Sequence, residues 1–176
     1  LTGKNVNIVA VKQDESAFMV KNVTNVTIDN LTFTARNVTH RWAEYEKMKL
    51  CVLGSSNIKL TNITVNGAGA AGIYLGRVKN FRIDQARVSN TRSDGIHLTE
   101  GTNHGVLTHP VIANSGDDGV AVVSYNDGNP VSNNITIYSP RLYGQTGGRA
   151  FTVVGGDRIF WNDIYAKNSN AAGLYL

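Results

Sequence analysis

Five segments of this chain end alike, and their spacing limits the fold more than any other feature. They are "GAGAAGIYL" (67–75), "NTRSDGIHL" (90–98), "NSGDDGVAV" (114–122), "GQTGGRAFTV" (144–153) and "NSNAAGLYL" (168–176). Measured at Gly72, Gly95, Gly119, Ala150 and Gly173, the steps are 23, 24, 31 and 23 residues. Each ending follows a second apolar pattern: "NIKLTNITV", "NFRIDQARV", "HGVLTHPVI", "NITIYSPRL" and "RIFWNDIYA". Leu60, Ile83, Leu107, Ile137 and Trp161 then fall into one column, and Val65, Val88, Ile112, Leu142 and Ala166 into another. A repeat this short cannot bury its own apolar face, so neighbouring repeats must stack. The Leu-x-x-Leu-x-Leu framework of leucine-rich repeats is absent, while short strands with Asn/Gly corners suit a parallel β-helix.

The expected fold is all-β: a right-handed parallel β-helix, a solenoid of about seven coils, with rungs about 4.8 Å apart. The rungs end near Val20, Leu53, Leu75, Leu98, Val122, Val153 and Leu176. Residues 1–176 read as one β-helix domain, of a length that can bury a core. Neither end carries a polar capping segment, and the first residue is not Met. A longer natural chain or assembly is therefore expected. Two stretches break the period: "VTHRWAEYEKMKL" (38–50), the only one with room for a helical turn or two, and "SYNDGNPV" (124–131). Insertions in solenoids emerge on one face, often the binding face, which makes Trp42, Tyr45 and Tyr125 candidate sugar-stacking residues.

Composition narrows the function classes. No apolar run reaches the length of a membrane-spanning helix, so no membrane partner is expected. The net charge of +4 suits an acidic partner. The basic residues are scattered without interleaved aromatics, so nucleic acid is not expected. The single Cys51 excludes an internal disulfide and a cysteine metal cluster, and it reads as a buried structural thiol. His104 and His109 lack metal-ligand spacing. Six Asn-x-Thr sequons, at Asn22, Asn25, Asn30, Asn37, Asn62 and Asn134, are read as products of Asn/Thr-rich rungs rather than glycosylation sites.

Stacking turns separate motifs into one site. The position before the Gly/Ala column holds Ala71, Asp94, Asp118, Arg149 and Ala172, with Asp117 adjoining. The adjacent outward column holds Tyr74, His97, Ala121, Thr152 and Tyr175. Carboxylates this close cannot all ionise freely, so at least one pKa should rise, the condition for pairing an acid with a base in glycosidic hydrolysis. Asp94, Asp117 and Asp118 are the expected catalytic residues. Arg149, His97, Tyr175 and Tyr125 are the expected substrate-binding residues, with Arg149 free either to hold a substrate carboxylate or to stabilise the aspartates.

The series "TRSDG" (91–95), "GDDG" (116–119) and "GGRA" (147–150) resembles the polygalacturonase-type (family 28) glycoside hydrolases of the pectate-lyase-like superfamily. That resemblance covers roughly residues 80 to 176. It implies that Asp117 is the general acid and that Asp94 and Asp118 position and activate a water. Ser93 stands at the family's Thr, Gly119 where a Cys is common, Arg149 at its His, and the Arg-Ile-Lys motif has no counterpart before Leu176. The superfamily also contains tailspikes, depolymerases, lyases and epimerases. A lyase or epimerase would use Arg149, His97 or Tyr175 for proton transfer, with the aspartates on Ca²⁺.

The resulting expectation is a secreted or virion-surface protein that hydrolyses an extracellular polysaccharide, acidic ones included, with no cofactor and no metal. The rival readings are a non-catalytic glycan-binding or structural spike, trimeric in that case, and a polysaccharide lyase or epimerase.

Overall fold

The computed structural model describes residues 1–176. The chain winds through seven coils. The first contains β1 (Thr2–Ala10) and β2 (Phe18–Lys21), the second β3 (Thr24–Ala35) and β4 (Leu50–Leu53). The third contains β5 (Ser56–Thr61), β6 (Thr64–Ala68) and β7 (Ile73–Gly76), and the fourth β8 (Lys79–Asp84), β9 (Arg87–Thr91) and β10 (Ile96–Thr99). β11 (Asn103–Thr108), β12 (Val111–Ser115) and β13 (Val120–Val123) make the fifth. β14 (Asn133–Tyr138), β15 (Arg141–Gln145) and β16 (Phe151–Val154) make the sixth. The seventh holds β17 (Asp157–Asn162), β18 (Tyr165–Lys167) and β19 (Leu174–Tyr175).

One face of the solenoid is a seven-stranded parallel sheet in the order β19-β16-β13-β10-β7-β4-β2, one strand per coil. The other two faces are halves of a twelve-stranded sheet, because the long β3 runs through a corner and pairs with β5 at one end and β6 at the other. Register follows the columns read from the repeats. Leu107 lies beside Ile83 and Ile137, and Ile112 beside Val88 and Leu142. These residues point inward and form one apolar core along the axis. Parallel strands buried by other elements read as dense Val/Ile/Leu runs, as here.

The corners explain the richness in Asn. Asn25, Asn57, Asn80, His104, Asn134 and Arg158 form one column with φ between 50 and 60°. Asn tolerates this left-handed conformation better than other L-residues, because its short amide bonds locally. The amides also bond along the stack, Asn57 Nδ2 donating to Asn25 Oδ1 at 2.9 Å. All six sequon asparagines have positive φ, so corner geometry accounts for their presence. His104 and His109 occupy the same kind of corner.

Both breaks in the period leave the coil as expected. Residues 38–49 form a strap over the solenoid with a single 3-10 turn at Tyr45–Lys47, and 124–131 form a loop without a strand. Cys51 is buried beneath the strap, against Met48, Ala70, Ala71 and Tyr74.

Candidate active site

The corner that leads into the seven-stranded face carries the site. Its turns run Arg92–Gly95 before β10, Gly116–Gly119 before β13, and Thr146–Ala150 before β16. Backbone bonds lock these turns in register: Gly95 N–H donates to Asp118 O at 2.9 Å, and Gly119 N–H to Arg149 O at 2.9 Å. The glycines are required by space. A Cβ at Gly119 would lie 2.3 Å from Leu142 Cδ1 and 2.5 Å from Ala150 O. Gly148 has φ +71°, and a Cβ there would sit 2.4 Å from Asp117 Oδ1. A tight, repeated turn therefore sets the carboxylates one coil apart.

Asp94, Asp117 and Asp118 each offer an oxygen within 4.8 Å of the others. Their partners differ. Asp118 is 3% exposed, and both of its oxygens are taken by Arg149. Arg149 Nε and its backbone N–H donate to Oδ1 at 2.9 and 2.7 Å, and Nη2 donates to Oδ2 at 2.9 Å. Asp94 Oδ2 lies 2.6 Å from His97 Nδ1, whose ring stacks on Tyr74 at 5.3 Å and 3°. Asp117 Oδ2 accepts from Arg41 Nη2 at 2.5 Å. Of the six carboxylate oxygens, two have no partner within the protein: Asp94 Oδ1 and Asp117 Oδ1.

Burial pushes the Asp94 carboxyl above its ordinary pKa, His97 works against that shift, and the neighbouring Asp117 and Asp118 add to it. One carboxyl is raised, as expected, but burial rather than crowding is the larger cause, and the shift falls on the deeper-set of the two with a free oxygen. Asp118 does not have the contacts of a water-activating group, because Arg149 occupies both its oxygens. Of the two roles open to Arg149, its contacts match stabilisation of an aspartate. Its guanidinium also stacks on the Tyr175 ring at 4.9 Å.

A cavity of about 540 Å³ opens above this corner. All seven residues expected in the site line it: the three aspartates, His97, Arg149, Tyr125 and Tyr175. Trp42 joins them, whereas Tyr45 does not. Tyr45 instead turns to Tyr74 and donates from its hydroxyl to Glu100 Oε1 at 2.5 Å. Sequence reasoning missed Arg41. Its signal was weak, a lone cation beside Trp42 in an aperiodic stretch.

The carboxylates are close enough to share an ion, but each already faces a guanidinium or an imidazole nitrogen. A hard cation such as Ca²⁺ takes about six to eight oxygens, and only Asp94 Oδ1 and Asp117 Oδ1 are free here. The arrangement suits proton transfer instead: two free carboxyl oxygens on neighbouring coils, one with a raised pKa, beside exposed rings that can stack on a sugar.

The fold and this corner define a parallel β-helix with a carboxylate cleft. The chain belongs to the family described as right handed beta helix region, which it matches over residues 3–136. No curated protein matches it. Among solved structures it is similar to the catalytic domain of a GH87 alpha-1,3-glucanase, an aspartate-to-alanine variant in complex with tetrasaccharides, with a TM-score of 0.73 and 18% identity. That match covers 92% of this chain and 29% of the glucanase chain, so the chain spans under a third of its neighbour. At this identity the likeness is one of fold.

Proposed function

We propose that this protein hydrolyses glycosidic bonds in a neutral extracellular polysaccharide. One observation carries the reading: Asp117 and Asp94, the two carboxylates that each keep one oxygen without a protein partner, line the same aromatic-walled cavity. Hydrolysis needs one carboxyl to protonate the leaving oxygen and another to take a proton from water. Asp94, with its side chain only 10% exposed and its pKa raised by burial, holds a proton more readily and serves as the acid, the reverse of the assignment the family resemblance implies. Asp117, ion-paired with Arg41 and more open at 26% exposure, is the base that takes a proton from water. Asp118 holds Arg149 and fixes the turn between them.

The choice of a neutral polymer follows from charge. Two guanidiniums face three carboxylates in the cavity, and each guanidinium is already paired with an aspartate. A uronate would meet no uncommitted cation there. Polygalacturonase-type specificity is therefore disfavoured, while the similar glucanase is in complex with tetrasaccharides.

The test is a panel of neutral and acidic polysaccharides with products read by mass spectrometry. Oligosaccharides from a neutral polymer are expected, and none from Asp94→Asn, Asp117→Asn or Asp118→Asn. Products absorbing as unsaturated sugars would favour a lyase, and binding without turnover would favour a spike.

A further inference from the structure

Arg41 belongs to none of the repeated columns, yet it touches Asp117 across 76 residues of sequence. The strap that carries it replaces the corner of the second coil and reaches along the stack to the corner of the fifth. It is held at several points. Arg92 Nε donates to Val38 O at 2.8 Å, and Trp42 N–H donates to Gly69 O at 2.8 Å. Beneath it, Met48 packs with Ala70 and Ala71, which are 0% and 1% exposed. Alanines at these corner positions let the strap lie close to the solenoid, since a larger side chain there would lift it. A guanidinium more than half exposed is thus delivered to one oxygen of a carboxylate by a well-packed support.

Asp117 and Asp118 are consecutive like charges, and each is held by its own arginine from a different direction. Arg149 comes from the coil after them and takes both oxygens of Asp118. Arg41 comes from three coils before them and takes only Oδ2 of Asp117. We propose that Arg41 is a positioning residue of the active site: by holding Oδ2, it makes Oδ1 the oxygen of Asp117 that takes the proton of the attacking water. The inference rests on the hydrolytic reading given above. It makes the strap part of the catalytic apparatus rather than a cover for the solenoid flank.

The test compares Arg41→Met and Arg41→Lys with the wild type, alone and combined with Asp117→Asn. Arg41→Met is expected to lower kcat about tenfold or more with KM little changed, because misplacement of a reacting group costs rate rather than binding. Arg41→Lys should recover part of the rate. Chemical unfolding of the wild type, Arg41→Met, Asp117→Asn and the Arg41→Met/Asp117→Asn pair supplies a readout that needs no turnover. Arg41 and Asp117 should couple by a few-fold in the unfolding constant. A raised KM with unchanged kcat, or strictly additive unfolding, would overturn the inference. Coupled unfolding in a wild type that cleaves no polysaccharide would retain the Arg41–Asp117 pairing and reject the hydrolytic reading.

Discussion

Arg149 grips Asp118 from the next coil of the stack, with Nε on one carboxylate oxygen and Nη2 on the other, each at 2.9 Å. The repeats put the two residues in one column. The side chains then form a forked pair, the geometry in which arginine binds a carboxylate most strongly.

Removing that fork should destabilise the fold. Arg149→Met leaves Asp118, at 3% exposure, with only a backbone N–H. The expected loss is about 2 kcal/mol, below the full cost of an orphaned buried charge because Arg149 is itself 31% exposed. Urea unfolding measures it, and adding Asp118→Asn should recover part of the loss.

Asp94 predicts parallel pH trends for rate and stability. As the acid it must be protonated, so kcat/KM should fall as pH rises through its raised pKa, above the ordinary 3.8. For stability the folded-state pKa is the higher one, so the folded form binds the proton more tightly. Its contribution is present below 3.8 and is lost as pH rises from there through the raised value. Asp94→Asn should abolish turnover and flatten this part of the curve of unfolding midpoint against pH.

The ring stack and the hydrogen bond of His97 can be separated. His97→Phe keeps a flat ring over Tyr74 but removes the contact to Asp94 Oδ2. A fall in kcat of about tenfold to a hundredfold is expected, with the melting temperature little changed. An Asn amide N–H can stand in for Nδ1, so a smaller loss in His97→Asn than in His97→Phe would identify the hydrogen bond rather than ring shape as the cause.

Gly119→Ala tests the packing of the corner. The new Cβ would meet Leu142 Cδ1 at 2.3 Å and Ala150 O at 2.5 Å, so the turn must shift. A loss of about 1–3 kcal/mol is expected from overpacking. Activity should fall with it, because Asp118 immediately precedes the displaced residue. Calorimetry and turnover on the same sample check both.

Burial pushes the Cys51 thiol up to about 12, and the side chain is 0% exposed. An alkylating reagent at neutral pH should leave it unmodified in the folded protein and label it on unfolding.

The solenoid was legible in the sequence because its physics is periodic. A coil of fixed length presents the same inward position each time, so Leu60, Ile83, Leu107 and Ile137 declare their register without any structure. Asp94, Asp117 and Asp118 could be placed on one corner by the same reasoning, and so could Arg149. Contacts outside the repeat were not legible. Trp42 and Tyr45 lie three residues apart in one insertion, yet only Trp42 lines the cavity, since an aperiodic strap has no register to read. Arg41 escaped notice for the same reason.

The sequence by itself thus determined the fold, the stacking register and the three carboxylates, because all depend on a repeat that stacking must satisfy. Only the tertiary structure decided how those carboxylates are divided. Arg149 takes both oxygens of Asp118, His97 takes one of Asp94, and Arg41 takes one of Asp117. Such a division depends on side-chain directions and on a strap crossing several coils, and neither is a property of linear spacing.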